Sequence, residues 1–504
     1  MLVVAAVSIV SIAAGLLRLT QASSGVNVEH LRIGPTPVRV FRHAEPNSSE
    51  PRPVVVIAHG FAGSQQLMQS FAITLARNGY LAVTFDFFGH GRNLEPLAGD
   101  VTAVDGATEM LVQQTRSIAD FALDLPGAGD GLSVLGHSMA SDIVVRYALR
   151  DDRVDATVAV SMFSPAVTAT APRNLLVIVG EFEGMLIEEA LRVLKLVNES
   201  AEEGVTVGRF DDGSARRVVV ADGVEHVGVL YSVESMAETV TWLNAVYGRE
   251  SSGYTASRGS AIALLIGGVW LLAWPLSGML PRVSRPASGI ATTWRQLLLA
   301  ATIPAVATPL LLWSFPADFF GVAVGGYLAV HFLLYGLVTA ACIAWLRRTG
   351  AIVVHGETNI TRFVVATLLA TAYIAGLVAL ILDTWVTSFA ITAPRIPLVV
   401  LMLAGTLSYF LADEWLTRGA AAPPGAAIYS RFCFLGSLAI AVALSFEDLF
   451  FLLIIAAVIL LYFVVYGFFS RWVYQSTRHP AVGAIANAIA FAWALAVVFP
   501  MLSA

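Results

Sequence analysis

A serine between small residues lies at the end of an apolar stretch, in the run Gly136-His137-Ser138-Met139-Ala140. The apolar residues 132–135 before it predict a buried strand, and the pattern after it predicts a helix. A Gly-x-Ser-x-small run between a strand and a helix is typical of a nucleophile elbow, a sharp turn that exposes the serine hydroxyl. Such a turn needs small flanking residues, and Gly136 and Ala140 meet that need. Ser138 is therefore the candidate nucleophile.

An activated serine requires a base and an acid elsewhere in the chain. A serine hydroxyl is a weak nucleophile until a histidine removes its proton, and a carboxylate must hold that histidine in the right tautomer. Glu181 and Glu183 follow a predicted strand at 175–179, and His226 follows the next predicted strand. Asp222 lies on the way to His226, and we interpret it as a strand-end or turn residue.

The elements that must position these residues alternate between strand and helix over residues 26–248. Strands are predicted at 28–33, 38–41, 54–58, 80–85, 132–135, 154–160, 175–179 and 217–220, and helices at 64–78, 105–124, 185–198 and 231–247. The continuous apolar run at 54–58 is typical of a parallel strand that is buried on both faces. The pattern predicts an α/β fold with a doubly wound, mostly parallel sheet.

Four motifs give this region a resemblance to a known family. They are the elbow, His59-Gly60-Phe61 after the third strand, Asp86-Phe87-Phe88-Gly89-His90-Gly91 after the fourth, and Gly180-Glu181-Phe182-Glu183 with His226 beyond it. With them, residues 26–248 resemble an α/β-hydrolase of the small, nearly lidless kind, similar to the dienelactone-hydrolase and monoacylglycerol-lipase-like groups. The order serine, acid, histidine along the chain is that of this family.

The resemblance implies a role for each member of a catalytic triad. Ser138 would be the nucleophile, and His226 would be the general base and then the general acid. Glu183 would be the triad acid, because it holds the fourth place of the Gly-x-x-acid turn. Glu181 is the alternative acid. Glutamate stands here where aspartate is commoner in the family.

The resemblance also implies an oxyanion hole made of the backbone N–H groups of Phe61 and Met139. We expect His59 and His90 to brace their loops by hydrogen bonding. His137, beside the serine, is expected to shape the elbow or to contact the substrate, without a catalytic role.

Two expectations concern what the site lacks. Residues 161–174 are too few for a helical lid, and residues 162–173 contain no carboxylate, so the usual alternative position of the acid is empty.

The two cysteines, Cys342 and Cys433, lie in apolar segments, and no Cys/His cluster has the spacing of a metal site. We expect neither a metal nor an organic cofactor.

The composition predicts a membrane protein, because 57% of the 504 residues are hydrophobic and only 13% are charged. We predict an N-terminal anchor or signal segment at 1–20, a hydrolase domain at 25–248 and a membrane domain at 259–504. Membrane spans are predicted at 261–280, 297–314, 319–346, 363–383, 396–412, 432–446, 449–467 and 481–501, the sixth of them short enough to be partly re-entrant. His331, the ionisable residue deep in a span, is interpreted as a hydrogen-bonding residue of helix packing.

The arginines predict the orientation. They concentrate in alternate loops after residue 281, and such loops face the cytoplasm. The hydrolase domain, one span away, would then lie on the periplasmic or extracellular side of the inner or plasma membrane. The net charge of −6, without a Lys/Arg-rich run, argues against a nucleic-acid partner.

The sequence therefore predicts a membrane-embedded serine hydrolase that cleaves carboxylic esters through an acyl-enzyme, with small-molecule or lipid-like esters as substrates and membrane lipids as partners. One alternative is a non-catalytic hydrolase-fold domain that senses a ligand or is coupled to transport. Another is an acyltransferase or a peptidase on the same fold, since ester hydrolysis, acyl transfer and peptide cleavage use the same triad.

Overall fold

The computed structural model describes most of the chain, in two compact units. The described residues are 1–44, 51–99, 104–315, 322, 324–419, 422–449 and 451–503. The unit that we call the sheet unit comprises residues 13–265, 383–388 and 500–504. The unit that we call the helical unit comprises residues 1–12, 266–382 and 389–499.

The sheet unit contains an eight-stranded sheet. Its strands are β1 (Val26–Ile33), β2 (Thr36–His43), β3 (Arg52–Ala58), β4 (Leu81–Phe85), β5 (Ala128–His137), β6 (Val154–Val160), β7 (Leu175–Gly180) and β8 (Arg216–Ala221). The strand order is β1-β2-β4-β3-β5-β6-β7-β8. β1 pairs antiparallel with β2 and β2 antiparallel with β4, whereas every later pairing is parallel. The predicted mostly parallel α/β-hydrolase sheet is confirmed, and a helical region with several apolar helices follows it in the chain.

Helices cover both faces of this sheet. They are α2 (Gln69–Arg77), α3 (Glu109–Leu123), α4 (Met139–Ala148), α5 (Gly184–Lys195) and α6 (Val233–Tyr247). Strand β3 shows why the sheet is buried on both sides. Val55 and Ile57 pack in a core with α2 and α6, whereas Val54 and Val56 pack in a second core with α3 and α4. The alternation of side chains along a strand thus turns a continuous apolar run into two cores.

Two predicted helices begin at least four residues later than the pattern indicated. α2 begins at Gln69 instead of residue 64, because residues 60–68 form a turn in which the Gln65 N–H donates to the Asp86 carboxylate (2.8 Å). α3 begins at Glu109 instead of residue 105, after a π-turn in which Gly106 has a non-helical backbone conformation.

The remaining chain is largely helical. Its helices are α1 (Leu2–Ala22), α7 (Gly259–Ser277), α8 (Trp294–Leu312), α9 (Gly325–Arg348), α10 (Ile360–Thr371), α11 (Val378–Trp385), α12 (Ile396–Thr417), α13 (Ala426–Leu444), α14 (Phe446–Leu449), α15 (Phe451–Thr477) and α16 (Pro480–Val498). Four short strands, β9 (Ser284–Arg285), β10 (Gly289–Ala291), β11 (Ile352–Val354) and β12 (Glu357–Thr358), form two small sheets. A π-turn at Ala372–Leu377 joins α10 to α11.

Within the described ranges, nine helices are long and apolar enough to cross a membrane, α10 and α11 counting as one. The span predicted at 432–446 corresponds to α13, a 19-residue helix that begins earlier in the chain. The start of the span predicted at 319, and residue 450 of the span at 449–467, lie outside the described residues.

Small residues let the helices of the helical unit approach each other closely. A Cβ atom on Gly336 of α9 would lie 2.4 Å from the carbonyl carbon of Ser408 in α12, and one on Gly405 would lie 2.3 Å from the carbonyl oxygen of Ala329. This close approach is the packing that small residues permit in membrane helices. Next to it, His331 Nε2 is hydrogen-bonded to Ser437 Oγ (3.0 Å).

Candidate active site

Ser138 lies in a strained turn between β5 and α4. It has φ +55° and ψ −122°, a conformation that costs a non-glycine residue about 1–3 kcal/mol. A Cβ atom on Gly136 would lie 2.3 Å from the carbonyl oxygen of Ala140, so the turn requires glycine at that position. The Ser138 N–H donates to the carbonyl of Val160 on the neighbouring strand (2.9 Å). The turn therefore has the geometry of a nucleophile elbow.

The structure joins three of the predicted residues in one chain of hydrogen bonds. Ser138 Oγ lies 2.8 Å from Nε2 of His226, and Nδ1 of the same ring lies 2.5 Å from Oε1 of Glu183. The Nδ1 atom faces a carboxylate, so it carries the proton, and Nε2 is free to accept the hydroxyl proton of Ser138. The His226 side chain is 37% exposed and the Glu183 side chain only 5% exposed. The His226 ring is thus partly exposed, while its carboxylate partner is buried.

The second oxygen of Glu183 is held by neighbouring strands. Oε2 accepts from the Gly180 N–H (2.6 Å) and from Ser161 Oγ (2.8 Å). Burial alone would raise the pKa of Glu183, but the hydrogen bonds from His226, Gly180 and Ser161 outweigh it and hold the pKa below its ordinary value. Glu183 is therefore a fixed carboxylate, and Ser161 is a partner that carried no signal in the sequence.

The other two nearby acids have different contacts. The Glu181 carboxylate accepts from the Gly223 N–H (2.8 Å), which fastens the turn after β8 to the turn after β7. The Asp222 N–H donates to Glu234, which makes Asp222 part of the turn that follows β8. The structure thus brings Glu183 to His226 and gives Glu181 another partner.

His137 contacts the backbone of His226. Its Nε2 lies 2.8 Å from the backbone carbonyl oxygen of His226, and the two rings are 4.9 Å apart. Burial, reinforced by the nearby His226, lowers the pKa of His137 to about 3. The ring is therefore neutral at ordinary pH, and its Nε2–H donates to that carbonyl. This contact holds the main chain of His226 in place.

The loop after β3 lies directly against the serine. A Cβ atom on Gly60 would lie 3.0 Å from the Cβ of Ser138, so glycine brings the loop backbone close to the elbow. His59 Nε2 accepts from the Phe87 N–H (3.1 Å), and its Nδ1–H therefore donates to the carbonyl of Gly60 (2.8 Å). His59 thus has the bracing contacts that we expected of it. Phe61, one predicted oxyanion donor, follows immediately in this loop.

Met139, the other predicted oxyanion donor, is the first residue of α4. The first N–H groups of a helix have no acceptor within the helix, and the helix dipole favours negative charge there. Met139 N–H is therefore suited to stabilise an oxyanion beside Ser138.

Asp86 joins the loop after β3 to the turn after β4. Its side chain is fully buried, with Oδ1 accepting from the Gln65 N–H (2.8 Å) and Oδ2 from the Arg92 N–H (2.9 Å). In the same turn, His90 Nδ1 is hydrogen-bonded to the carbonyl of Phe88 (2.9 Å). One buried carboxylate therefore fixes both the loop that lies against the serine and the turn after β4.

Several exposed apolar side chains are close in the chain to residues of the site. Residues 161–174, all of them described, contain no helix. Phe163, Phe182 and Met185 are 64%, 67% and 82% exposed, and each lies within two residues of Ser161 or Glu183. Val227, next to His226, is also exposed. We call Phe163, Phe182, Met185 and Val227 the apolar rim. Among the described residues, no group of three or more His, Cys, Asp or Glu side chains could hold a metal ion.

Comparison with protein families finds a similarity in the first half of the chain. The family described as serine aminopeptidase, S33, matches residues 49–204. The match includes Ser138 and Glu183, ends before His226, and covers less than a third of the 504-residue chain. It supports a hydrolase-fold enzyme in the region of the sheet.

Solved structures also resemble part of the chain. An esterase from Pyrobaculum calidifontis is 18% identical, with a TM-score of 0.32, over 49% of this chain and 93% of the esterase. A predicted CIB-like hydrolase from Thermoplasma acidophilum is 16% identical, with a TM-score of 0.34, over 43% of this chain and 97% of its own. A search of curated protein sequences finds no match.

Proposed function

We propose that this protein is a membrane-embedded serine hydrolase that cleaves carboxylic esters through an acyl-enzyme intermediate. The observation that carries the proposal is the continuous hydrogen-bond chain from Glu183 through His226 to Ser138, at a strained elbow. A non-catalytic domain has no need of a base aligned on a serine in a costly backbone conformation.

Acylation follows from this geometry. Ser138 Oγ attacks the ester carbonyl carbon while His226 Nε2 takes the hydroxyl proton, and Glu183 stabilises the imidazolium that forms. The carbonyl oxygen becomes an oxyanion, which accepts hydrogen bonds from the N–H groups of Phe61 and Met139. The tetrahedral intermediate then collapses, and the imidazolium gives its proton to the leaving alcohol.

Deacylation uses the same groups in the same order. A water molecule enters the place of the alcohol, and His226 takes one of its protons as the water oxygen attacks the acyl carbon. Collapse of the second intermediate breaks the bond to Ser138 Oγ and returns the proton to that oxygen. The products are a carboxylic acid and the free enzyme.

The apolar rim indicates the substrate class. Large apolar side chains that are exposed beside a site favour contact with an apolar ligand. The absence of a helix in residues 161–174 leaves these side chains uncovered by that segment. We therefore propose amphiphilic, lipid-like esters as substrates.

The location follows from the apolar helices. Nine helices in the described part of the chain have the length and composition to cross a membrane. Arginines in alternate loops favour a cytoplasmic position for those loops, which gives the hydrolase domain a periplasmic or extracellular position.

A second candidate is a peptidase activity at the same site. The description of the matching family as serine aminopeptidase favours it, because amide and ester cleavage use the same nucleophile, base and oxyanion hole. The two functions differ in the leaving group and in the substrate pocket, so they are separated by substrate preference.

One experiment tests the proposal and the second candidate together. The full-length protein in detergent would be assayed with p-nitrophenyl esters of increasing acyl length and with aminoacyl p-nitroanilides. We expect ester hydrolysis that increases with acyl length, is lost in Ser138→Ala and is unchanged in the exposed control Ser117→Ala. Anilide cleavage that exceeds ester cleavage would instead establish the peptidase.

The apolar rim can be tested in the same assay. Met185→Ser should reduce hydrolysis of long-chain esters several-fold more than that of short-chain esters, because it removes apolar contact with the acyl chain. Met279→Ser, an exposed methionine outside the sheet unit, is the matched control. An equal effect of Met185→Ser on all acyl lengths would contradict the proposed substrate class.

A further inference from the structure

A six-residue segment of the sheet unit comes from a distant part of the chain. Residues 383–388 belong to the sheet unit, whereas the residues before and after them, 266–382 and 389–499, belong to the helical unit. We call residues 383–388 the inserted segment. It comprises the end of α11 and the first residues of the connection towards α12.

The inserted segment contacts the loop that carries the predicted oxyanion donor Phe61. Ser64, in this loop, is 1% exposed, and its Oγ is hydrogen-bonded to Thr387 Oγ1 (2.9 Å). The Ser388 N–H donates to Ser64 Oγ as well (2.9 Å). Since Ser64 Oγ accepts from Ser388, its own hydroxyl proton is free to point at Thr387.

The same segment contacts the turn after β4. Asp383 forms an ion pair with Arg92 (2.5 Å), and both side chains are partly buried. The backbone N–H of Arg92 donates to Asp86, which also holds Gln65, the neighbour of Ser64. The inserted segment, Asp86 and the two loops therefore form one connected set of hydrogen bonds.

A third contact joins the inserted segment to the first residue of α2. The buried Arg258 donates through Nη2 to the carbonyl of Trp385 (3.3 Å) and through Nη1 to Gln69 Oε1 (2.7 Å). Gln69 is the first residue of α2 and directly follows the loop of residues 60–68. The loop is thus held by the inserted segment at Ser64 and, through Arg258, at its end.

The C-terminal residues add a contact to the turn after β4. The Met501 N–H donates to the carbonyl of Gly89 (3.0 Å), and its own carbonyl accepts from the Leu97 N–H (2.9 Å). Gly89 has φ +75°, and a Cβ atom there would lie 2.5 Å from the Met501 carbonyl oxygen. Glycine is therefore needed at this position for the backbone conformation and for the approach of residues 500–503.

We propose that the inserted segment is a positioning element for the oxyanion hole, acting through Ser64 on the loop that holds the Phe61 N–H. This inference rests on the proposed hydrolase function and deepens it. An oxyanion donor stabilises the transition state only when it is held in the right place, and a small displacement lowers the rate. The segment is continuous in the chain with α11 before it and leads on towards α12.

The test uses the full-length protein and separates kcat from KM for a p-nitrophenyl ester. Ser64→Ala removes both contacts of the loop with the segment, whereas Thr387→Val removes one. We expect kcat to fall about tenfold in Ser64→Ala and about threefold in Thr387→Val, with KM within twofold of the wild type. Thr387→Ser keeps the hydroxyl and should restore kcat.

The matched control is Thr349→Val, because Thr349 is exposed and its hydroxyl bonds only to carbonyls of its own helix turn. Its kcat should equal that of the wild type. Melting temperatures of all variants distinguish a displaced loop from an unfolded protein. The double variant Ser64→Ala/Thr387→Val should have the kcat of Ser64→Ala alone, since both changes remove the same contact.

The outcomes separate this inference from the function on which it rests. If folded Ser64→Ala and Thr387→Val turn over at the wild-type kcat, the positioning role is overturned and the hydrolase proposal is unaffected. A parallel loss of kcat and melting temperature that Thr387→Ser does not restore would also overturn it. A wild type without Ser138-dependent turnover would overturn both.

Discussion

Buried polar side chains are used differently in the two units. In the sheet unit, Glu183 accepts from the Gly180 N–H at the end of β7, and Asp86 accepts from N–H groups of the segments after β3 and β4. Buried carboxylates therefore fix the backbone where these strands end. In the helical unit, Thr406 donates to backbone carbonyls of its own helix and of α16, and His331 pairs with Ser437. The first arrangement fixes the backbone around the proposed active site, whereas the second joins helices.

The largest expected effect comes from removing the proposed nucleophile or the proposed base in the sheet unit. Ser138→Ala and His226→Ala should each lower kcat by at least about 10⁴-fold, and the double variant should be no worse than either single one, because the two residues act as one unit. Steady-state ester hydrolysis measures this. Independent, additive losses would contradict the shared role.

The next prediction compares the two glutamates of one turn. Glu183→Gln should lower kcat by about 10³–10⁴-fold, because the amide cannot stabilise the imidazolium, whereas Glu181→Gln should stay within about threefold of the wild type. Equal losses in the two variants would contradict the assignment of the acid.

The pH dependence of the melting temperature tests whether Glu183 is a buried, hydrogen-bonded carboxylate. The folded-state pKa of Glu183 lies below its unfolded value of about 4.3, so its carboxylate contributes stability that is present above that pH and is lost as the pH falls through the folded pKa. The melting temperatures of the wild type and Glu183→Gln should therefore converge below about pH 4. A constant difference down to pH 3 would count against this account.

A smaller effect is expected at His137, which acts through His226. His137→Phe keeps a ring but removes the donor to the His226 carbonyl, so kcat should fall about tenfold with little change in KM. The wild type should also lose stability as the pH falls from about 6.5 towards 3. In this pH range His137 binds a proton in the unfolded chain but stays neutral in the folded protein. This slope should be shallower in His137→Phe, which pH-dependent melting temperatures measure.

The smallest effect on catalysis is expected in the helical unit. His331→Leu leaves Ser437 without its histidine partner, which should destabilise the protein by about 1–3 kcal/mol. The kcat for esters should stay within twofold of the wild type. A large loss of kcat without a change in melting temperature would show that the helical unit takes part in the reaction.

The sequence predicted the sheet and the chemistry for different reasons. Continuous apolar runs such as 54–58 are buried on both faces, so composition alone places them in the sheet. Ser138 and His226 were predicted because a sharp strand-to-helix turn and a general base each allow few residue types, and their roles stay predictions. Glu183 came from its place in the family motif, and its role as the acid stays a prediction.

Other parts of the site could not be predicted from the sequence. Ser161 and Ser64 are ordinary serines, and their importance arises from contacts made across the fold, to Glu183 and to Thr387. The late start of α2 has the same origin, since the Asp86 carboxylate fixes Gln65 in a turn. Contacts between residues far apart in the chain leave no local pattern.

The most direct test of the central claim is fluorophosphonate labelling of the full-length protein in detergent, followed by peptide mass spectrometry. The account predicts a single adduct on Ser138, which persists in Ser117→Ala and disappears in His226→Ala. A folded wild type that stays unlabelled, or an adduct on another serine, would contradict the proposed hydrolase.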